Sequence, residues 1–362
     1  MKIVCLFINL MIAYACYAEE ITPYKFTDSL PIYEIPASSR FIVQSTDVNT
    51  ADVVYYFSSP KSDTYPITIL CGGSSTEGDI HSIIHVHRYL LEEFLDLNVG
   101  VITVEQRGVD GNKVDAKEFM EHYTRSNRLK DHQVVIESLK RNPPTGWNGK
   151  LLFLGVSEGG PLVTSLTTQY ADSTIATMNW SGAGDWSWRE ELWVFMQKLL
   201  IDNPECPHHV QLKDCDVCLE HISSRDRYDT FMDAIILDPT PIRNFLGMTY
   251  KYHADAMLYP KIDYEKIHTP FLVVSGTADT IIQSSDAFVE KARNSGANIT
   301  YLRVDGMDHY VRKRPDIVDQ SFDWLRSQLE GFHGDNLERL SSKRLVLLGS
   351  QDFDKAINLT GR

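Results

Sequence analysis

Two hydrophobic rhythms alternate along the chain between about residue 40 and residue 329. Short, nearly continuous apolar runs predict strands at 67–70, 100–104, 151–154, 174–180, 271–274 and 299–304. Between them lie longer stretches compatible with helix. One is 80–95, with Ile84, Leu90, Leu91 and Phe94 at helical spacing; the others are 129–139, 159–170, 284–294 and a final amphipathic stretch at 316–329. Two β-rich runs, 40–44 and 53–57, flank Ser45-Thr46-Asp47-Val48-Asn49, whose turn chemistry predicts an opening hairpin. Strand and helix in regular alternation predict an α/β fold, a mostly parallel sheet covered by helices on both faces.

Between 187 and 267 this rhythm breaks. The segment is rich in Trp, His and Cys, its apolar runs are helix-like, and it separates two predicted strands. It reads as an inserted, mainly helical cap. Beyond 331 the chain is polar apart from one apolar patch at 345–348, and reads as an appended tail.

The first residues follow a different pattern. Met1-Lys2 is followed by an apolar stretch over 3–15 broken only by Asn9, then by small residues in Ala13-Tyr14-Ala15 and Cys16-Tyr17-Ala18, and then by Glu19-Glu20. That predicts an export signal over 1–18, a domain over 19–330 carrying the cap, and a tail over 331–362. Cleavage before Cys16 instead would leave a cysteine open to lipid attachment. No later stretch approaches the ~20 apolar residues of a membrane span. The mature protein is expected outside the cytoplasm, periplasmic or extracellular.

Export changes how the cysteines read. Cys206, Cys215 and Cys218 cluster inside the cap, and an oxidising compartment makes a disulfide among them the default, most simply Cys206 with Cys215 or Cys218. The neighbouring His208, His209 and His221 leave a zinc site as the alternative, although this cysteine spacing fits no common finger. The net charge of −14 argues against nucleic acid as a partner.

Three separated motifs share one chemistry. The predicted strand 151–154 runs into Gly155-Val156-Ser157-Glu158-Gly159 and then a helix, which is Gly-x-Ser-x-Gly in the strand–turn–helix context that exposes a nucleophile. Side chains at 155 or 159 would collide with the neighbouring strand or helix. A serine hydroxyl is a weak nucleophile and needs a base held by a third group. Past the strand 271–274, Gly276-Thr277-Ala278-Asp279 supplies a carboxylate; past 299–304, Gly306-Met307-Asp308-His309 supplies an imidazole. Asp308 adjoins His309 too closely to reach its Nδ1 easily, and Asp286 lies further down a helix. An oxyanion would be met by the N–H of Glu158 and by a donor from the Gly72-Gly73-Ser74 loop, at Gly73 or Ser74.

With these motifs in place, the chain resembles the α/β-hydrolase superfamily over roughly 40–329. The resemblance rests on Gly72-Gly73, Glu105-Gln106-Arg107-Gly108, the Ser157 elbow, Asp279 and His309. Gly159-Gly160 after the nucleophile is similar to esterases, prolyl-type aminopeptidases and oligopeptidases. Cys71, and Glu158 beside the nucleophile, depart from the usual pattern.

The resemblance implies a serine hydrolase with catalytic Ser157, Asp279 and His309, working without metal or cofactor on a small ester or a short peptide. Peptides with a free amino end come into view because Glu77, Asp79 and Glu158 could hold a cation. Trp186, Trp188, Trp193 and Phe195 either line an apolar acyl pocket or form the cap's own core. A hydrolase fold kept only for binding is the contrasting reading.

Overall fold

The computed structural model describes residues 38–44, 52–202 and 224–332. The expected export signal with Cys16, the cysteines Cys206, Cys215 and Cys218, and nearly all of the tail lie outside the described residues.

Eight strands form one sheet: β1 (Ser38–Val43), β2 (Val53–Ser58), β3 (Tyr65–Cys71), β4 (Gly100–Val104), β7 (Trp147–Val156), β8 (Thr174–Trp180), β11 (Phe271–Gly276) and β12 (Ile299–Val304). The short pairs β5 (Val109–Asp110) with β6 (Lys113–Val114), and β9 (Asn244–Phe245) with β10 (Met248–Thr249), lie outside it. The spatial order is β1-β2-β4-β3-β7-β8-β11-β12, and β2 alone runs against the rest. Every residue of β3, β4 and β8 is buried, as central strands covered on both faces must be.

The helices are α1 (Ile84–Asp96), α2 (Ala116–His122), α3 (Arg125–Arg141), α4 (Gly159–Gln169), α5 (Trp188–Asp202), α6 (Arg225–Leu237), α7 (Tyr250–Leu258) and α8 (Ile282–Asn294). Two predicted helices have different starts. The stretch expected from residue 80 becomes helical only at Ile84, because the chain before it is bound elsewhere: Thr76 pairs with Asp79, and Ser82 donates to the buried Glu105. In contrast, α3 begins four residues before the expected 129, where Thr124 Oγ1 accepts the Asn127 N–H at 3.1 Å and closes the first turn. The β5–β6 pair and α2 went unpredicted, although Asp115 followed by Glu118 is an N-terminal signal; Asp115 does cap α2.

Helices α5, α6 and α7 and the β9–β10 pair occupy the cap segment. Leu192, Met196, Tyr228, Met232, Ile235, Phe245, Tyr250 and Ala254 form its buried core, with Trp188, Trp193 and Phe195 packed against it. Of the two roles open to those aromatics, packing within the cap is the one seen.

The described residues up to Pro315 form one compact unit, and Asp316 begins a second. Within the second, the helix continues to residue 332 and carries Ile317, Val318, Phe322, Leu325 and Leu329 on one face.

The carboxyl ends of β3, β7, β11 and β12 share one edge of the sheet. From β3 the chain moves to β4 on one side, and from β7 to β8 on the other. The crevice above the β3–β7 boundary is therefore the switch point where open α/β sheets place their ligands.

Candidate active site

At the end of β7 the backbone turns sharply into α4, and Ser157 takes φ +52°, a left-handed conformation that costs a non-glycine residue about 1–3 kcal/mol. Its N–H donates to Trp180 O at 2.9 Å, and its carbonyl accepts from Gly160 N at 2.8 Å. Both flanking glycines are sterically required. A Cβ on Gly155 would stand 2.6 Å from the Gly159 carbonyl oxygen. One on Gly159 would overlap the Cys71 carbonyl and stand 2.9 Å from Gly72 O. The turn thus packs α4 against the end of β3 and lifts Ser157 Oγ above the sheet edge.

Two loops from the far strands meet that oxygen. His309, after β12, places Nε2 2.8 Å from Ser157 Oγ and Nδ1 2.8 Å from Asp279 Oδ2. The Asp279 side chain is only 4% exposed, and its other oxygen accepts the Ile281 N–H at 3.2 Å, which fixes the carboxylate's orientation. The loops are tied by Ala278 N–H to Met307 O at 3.0 Å and Gly306 N–H to Thr277 Oγ1 at 2.8 Å. Burial alone would lower the His309 pKa; the hydrogen bond and charge of Asp279 outweigh it, so the imidazole titrates above its ordinary 6.5. With Nδ1 donating to Asp279, Nε2 is free to accept the serine proton.

The other acids are committed elsewhere. Asp308 accepts from Tyr310 N–H at 2.8 Å and from Lys313 Nζ at 2.7 Å. Asp286 accepts from Tyr301 Oη at 2.7 Å and from Arg303 Nε at 3.0 Å.

On the opposite side of Ser157 lies the loop after β3. A Cβ on Gly73 would be 3.5 Å from Ser157 Cβ and 4.0 Å from its Oγ, so this backbone borders Ser157, whereas the Ser74 side chain is exposed. Arg128 Nη2 donates to Gly72 O at 2.6 Å, and Ser75 N–H donates to Tyr123 Oη at 3.1 Å.

Glu158, next to Ser157, turns its side chain inward. Arg125 grips both of its oxygens, at 2.6 and 2.8 Å. Burial would raise this carboxyl, but the Arg125 charge and hydrogen bonds hold it below its usual value.

This corrects the expected cation-holding cluster, because the Glu158 charge is already neutralised inside the protein. Glu77 accepts from Asn244 Nδ2 at 2.7 Å, and Asp79 faces His81 at 3.3 Å, so each of the three acids has a different partner.

Two features had no warning in the sequence reading. Glu191 of α5 accepts from Ser284 Oγ at 2.9 Å. Removal from water drives it up to about 7, against the pull of Arg125 and with the help of the Asp279 charge, and its own charge helps raise His309. The buried arginines Arg125 and Arg128, three apart on α3, had only that spacing to announce them. Cys71 is buried beneath the elbow, and burial pushes its thiol up to about 12, so it is a packing residue. Among the described residues no group of His, Cys, Asp and Glu could hold a metal ion, and no helix is long and apolar enough to cross a membrane.

No family model and no curated protein matches the sequence. Solved structures do resemble it. A thermostable carboxyl esterase from Bacillus coagulans aligns with a TM-score of 0.55 and 14% identity, over 82% of this chain and 98% of the esterase. Brefeldin A esterase, a bacterial homologue of human hormone-sensitive lipase, aligns at 0.51 and 12% identity over 91% of this chain and 84% of its own. An acylaminoacyl peptidase from Pyrococcus horikoshii aligns at 0.50 and 13% identity over 81% of this chain, which spans only 41% of the peptidase. The chain has the α/β-hydrolase fold.

Proposed function

We propose that the protein is an exported serine hydrolase that cleaves small esters through an acyl-enzyme on Ser157. The observation that carries this reading is the continuous hydrogen-bonded relay Ser157–His309–Asp279, with both contacts of the imidazole at 2.8 Å. In the first step His309 Nε2 takes the Ser157 proton as Oγ adds to the substrate carbonyl. The imidazolium is stabilised by Asp279 and returns the proton to the leaving alkoxide as the carbon–oxygen bond breaks. Water, deprotonated by the same nitrogen, then releases the acid. The carbonyl oxygen, negative in each tetrahedral intermediate, would be met by backbone N–H groups at Glu158 and Gly73. These are backbone groups on a fixed frame, so they need no reorganisation as charge develops.

Esters are favoured over peptides with a free amino end, since the carboxylate that follows Ser157 in sequence is already paired with Arg125. Such peptides are the outcome to exclude. In the same reading the leader ends at Ala18, and Cys206, Cys215 and Cys218 contain at least one disulfide.

The test is a fluorophosphonate label, with p-nitrophenyl esters and aminoacyl-naphthylamides offered in parallel. The expected result is one label on the Ser157 peptide, abolished in Ser157→Ala, and turnover of the esters. An unlabelled, inert protein would leave the binding-protein reading in its place; preference for the naphthylamides would make it an aminopeptidase.

A further inference from the structure

Both proposed oxyanion donors stand on short backbone segments, and one helix holds both. Arg125 and Arg128 lie at the start of α3, at i and i+3, on the same face. Both are buried, at 6% and 4% exposure. Arg125 fastens the Glu158 side chain at 2.6 and 2.8 Å, and so the residue whose N–H follows the nucleophile. Arg128 fastens the Gly72 carbonyl at 2.6 Å, in the peptide unit that carries the Gly73 N–H.

We infer that Arg125 and Arg128 are positioning residues that set the spacing of the two oxyanion donors from a single rigid helix. The inference rests on the serine-hydrolase reading above.

Three observations separate this role from ordinary stabilisation. First, burying guanidinium groups is costly, and a well-packed apolar side chain usually does as much for stability. Among the described residues Arg128 makes one side-chain hydrogen bond, to Gly72 O: its Nε and Nη1 have no partner there, while its guanidinium lies 5.5 Å over the Tyr123 ring. Second, that one bond is spent on the loop bordering Ser157. Third, the helix start is itself fixed. Thr124 caps it, Asp255 Oδ2 accepts the Ser126 N–H at 3.0 Å, and Trp188 covers Arg125 with its ring centroid 4.9 Å from the guanidinium carbon. Both tethers therefore start from one anchored turn. The Arg125–Glu158 bond also accounts for an acid beside the nucleophile: its side chain is a handle on the peptide that follows Ser157.

The test uses the full-length mature protein and p-nitrophenyl butyrate. Arg128→Met should lower kcat by roughly 10–100-fold with KM changed less than about 3-fold, since displaced donors are missed in the transition state and not in the ground state. Arg128→Lys, which can still reach a carbonyl, should recover part of that loss. Arg125→Lys keeps the charge but loses the two-pronged grip, and should lower kcat several-fold. In every case the acid limb of the pH profile stays where it was, because the relay is untouched.

A trifluoromethyl ketone supplies the direct readout. Ser157 Oγ bonds to its carbonyl carbon, the proton passes to His309 Nε2, and the former carbonyl oxygen becomes the oxyanion. Its inhibition constant should rise in parallel with the loss of kcat. Asp131→Asn is the structural control: it weakens the buried Arg107 pair at 2.6 Å further along the same helix. It should lower the melting temperature and leave kcat unchanged.

Folded arginine variants with wild-type kcat and wild-type ketone affinity would overturn the inference, as would an Asp131→Asn loss of equal size. Should Arg128→Met fail to fold, Arg125→Lys and its ketone affinity decide. A wild type that neither takes the fluorophosphonate nor turns over esters removes the hydrolase reading and this inference with it. An active wild type with unaffected variants removes the inference alone.

Discussion

Replacing Asp279 by Asn probes the relay at its most buried point. The two side chains are nearly equal in volume, and the Asn carbonyl can still accept the Ile281 N–H that the Asp279 carboxylate now accepts at 3.2 Å. What changes is the group facing His309 Nδ1. The carboxylate accepts from that nitrogen at 2.8 Å; an amide NH2 there donates, which forces the proton onto Nε2, where it blocks uptake of the serine proton. Asn also removes the charge that stabilises the imidazolium. With charge centres about 4 Å apart and an effective dielectric near 20, that interaction is worth about 4 kcal/mol, or close to a factor of 10³. Adding the tautomer penalty, kcat should fall by about 10³–10⁴ while KM barely moves.

The pH profile supplies a second, independent signature. In the wild type the Asp279 bond and charge raise the His309 pKa above 6.5, so kcat/KM should fall as the pH drops through that raised value. With Asp279 neutral, burial becomes the dominant influence, and the acid limb should move to lower pH. Steady-state hydrolysis of p-nitrophenyl butyrate between pH 5 and 9 reads both. Asp308→Asn should cost no more than about 3-fold, because Asp308 is occupied by Lys313 at a partly exposed pair. A larger loss in Asp308→Asn than in Asp279→Asn, or an acid limb that stays put in the latter, would refute the assignment.

Two further outcomes follow from the packing. Gly159→Ala should destabilise the fold by about 3 kcal/mol or more, because the new methyl overlaps the Cys71 carbonyl and both partners are backbone; a normal melting temperature in that variant would contradict the tight elbow. Glu105 is buried, and burial drives it up to about 7 against hydrogen bonds from Ser82, Ile83 and Gly111. An acid with a raised folded-state pKa holds its proton longer folded than unfolded. Its stabilisation is therefore full at low pH and is lost as pH rises from its ordinary 4.5 to about 7, by about 3 kcal/mol in all. Glu105→Gln should remove that component, seen as a smaller drop in urea midpoint between pH 5 and pH 8 than in wild type; an unchanged drop would mean that Glu105 is charged in the folded state.

The parts of the fold that were legible are those in which local pattern and burial agree. The strands 174–180 and 299–304 have their predicted limits because both are short apolar runs bounded by turns. Ser157, Asp279 and His309 are legible as one candidate set because each follows a strand at the same sheet edge, and sheet topology brings together residues 122 and 30 positions apart in sequence. The start of α1 was misplaced because side-chain bonds to the distant Glu105 overrode a helical spacing that was present. Arg125, Arg128 and Glu191 were missed for a related reason. On a helix, charged residues at such spacings ordinarily describe a solvated face, and only the tertiary structure shows that this one is turned inward. Glu158 is the instructive case: its oddity was visible, yet its partner lies 33 positions earlier, on a helix the periodicity started too late to include.

That misreading also changes what the cap does. In the structure it adjoins the candidate site on two sides. From α5, Trp188 covers Arg125, and Glu191 stands where His309 feels its charge. From the β9–β10 pair, the Gly247 carbonyl accepts the Glu77 N–H at 2.8 Å and Asn244 holds the Glu77 carboxylate, so the loop that begins at Gly72 is secured at both ends. Below that loop, Tyr252 of α7 stacks on Tyr123 at 5.2 Å, and Tyr123 in turn receives the Ser75 N–H. A lid that merely opened and closed would have little reason to bind the loop whose backbone borders Ser157. These contacts make the segment a wall of the candidate site: a substitution deep in its core, such as Phe245→Ala, has a direct physical route to the loop that begins at Gly72 through the pair it belongs to.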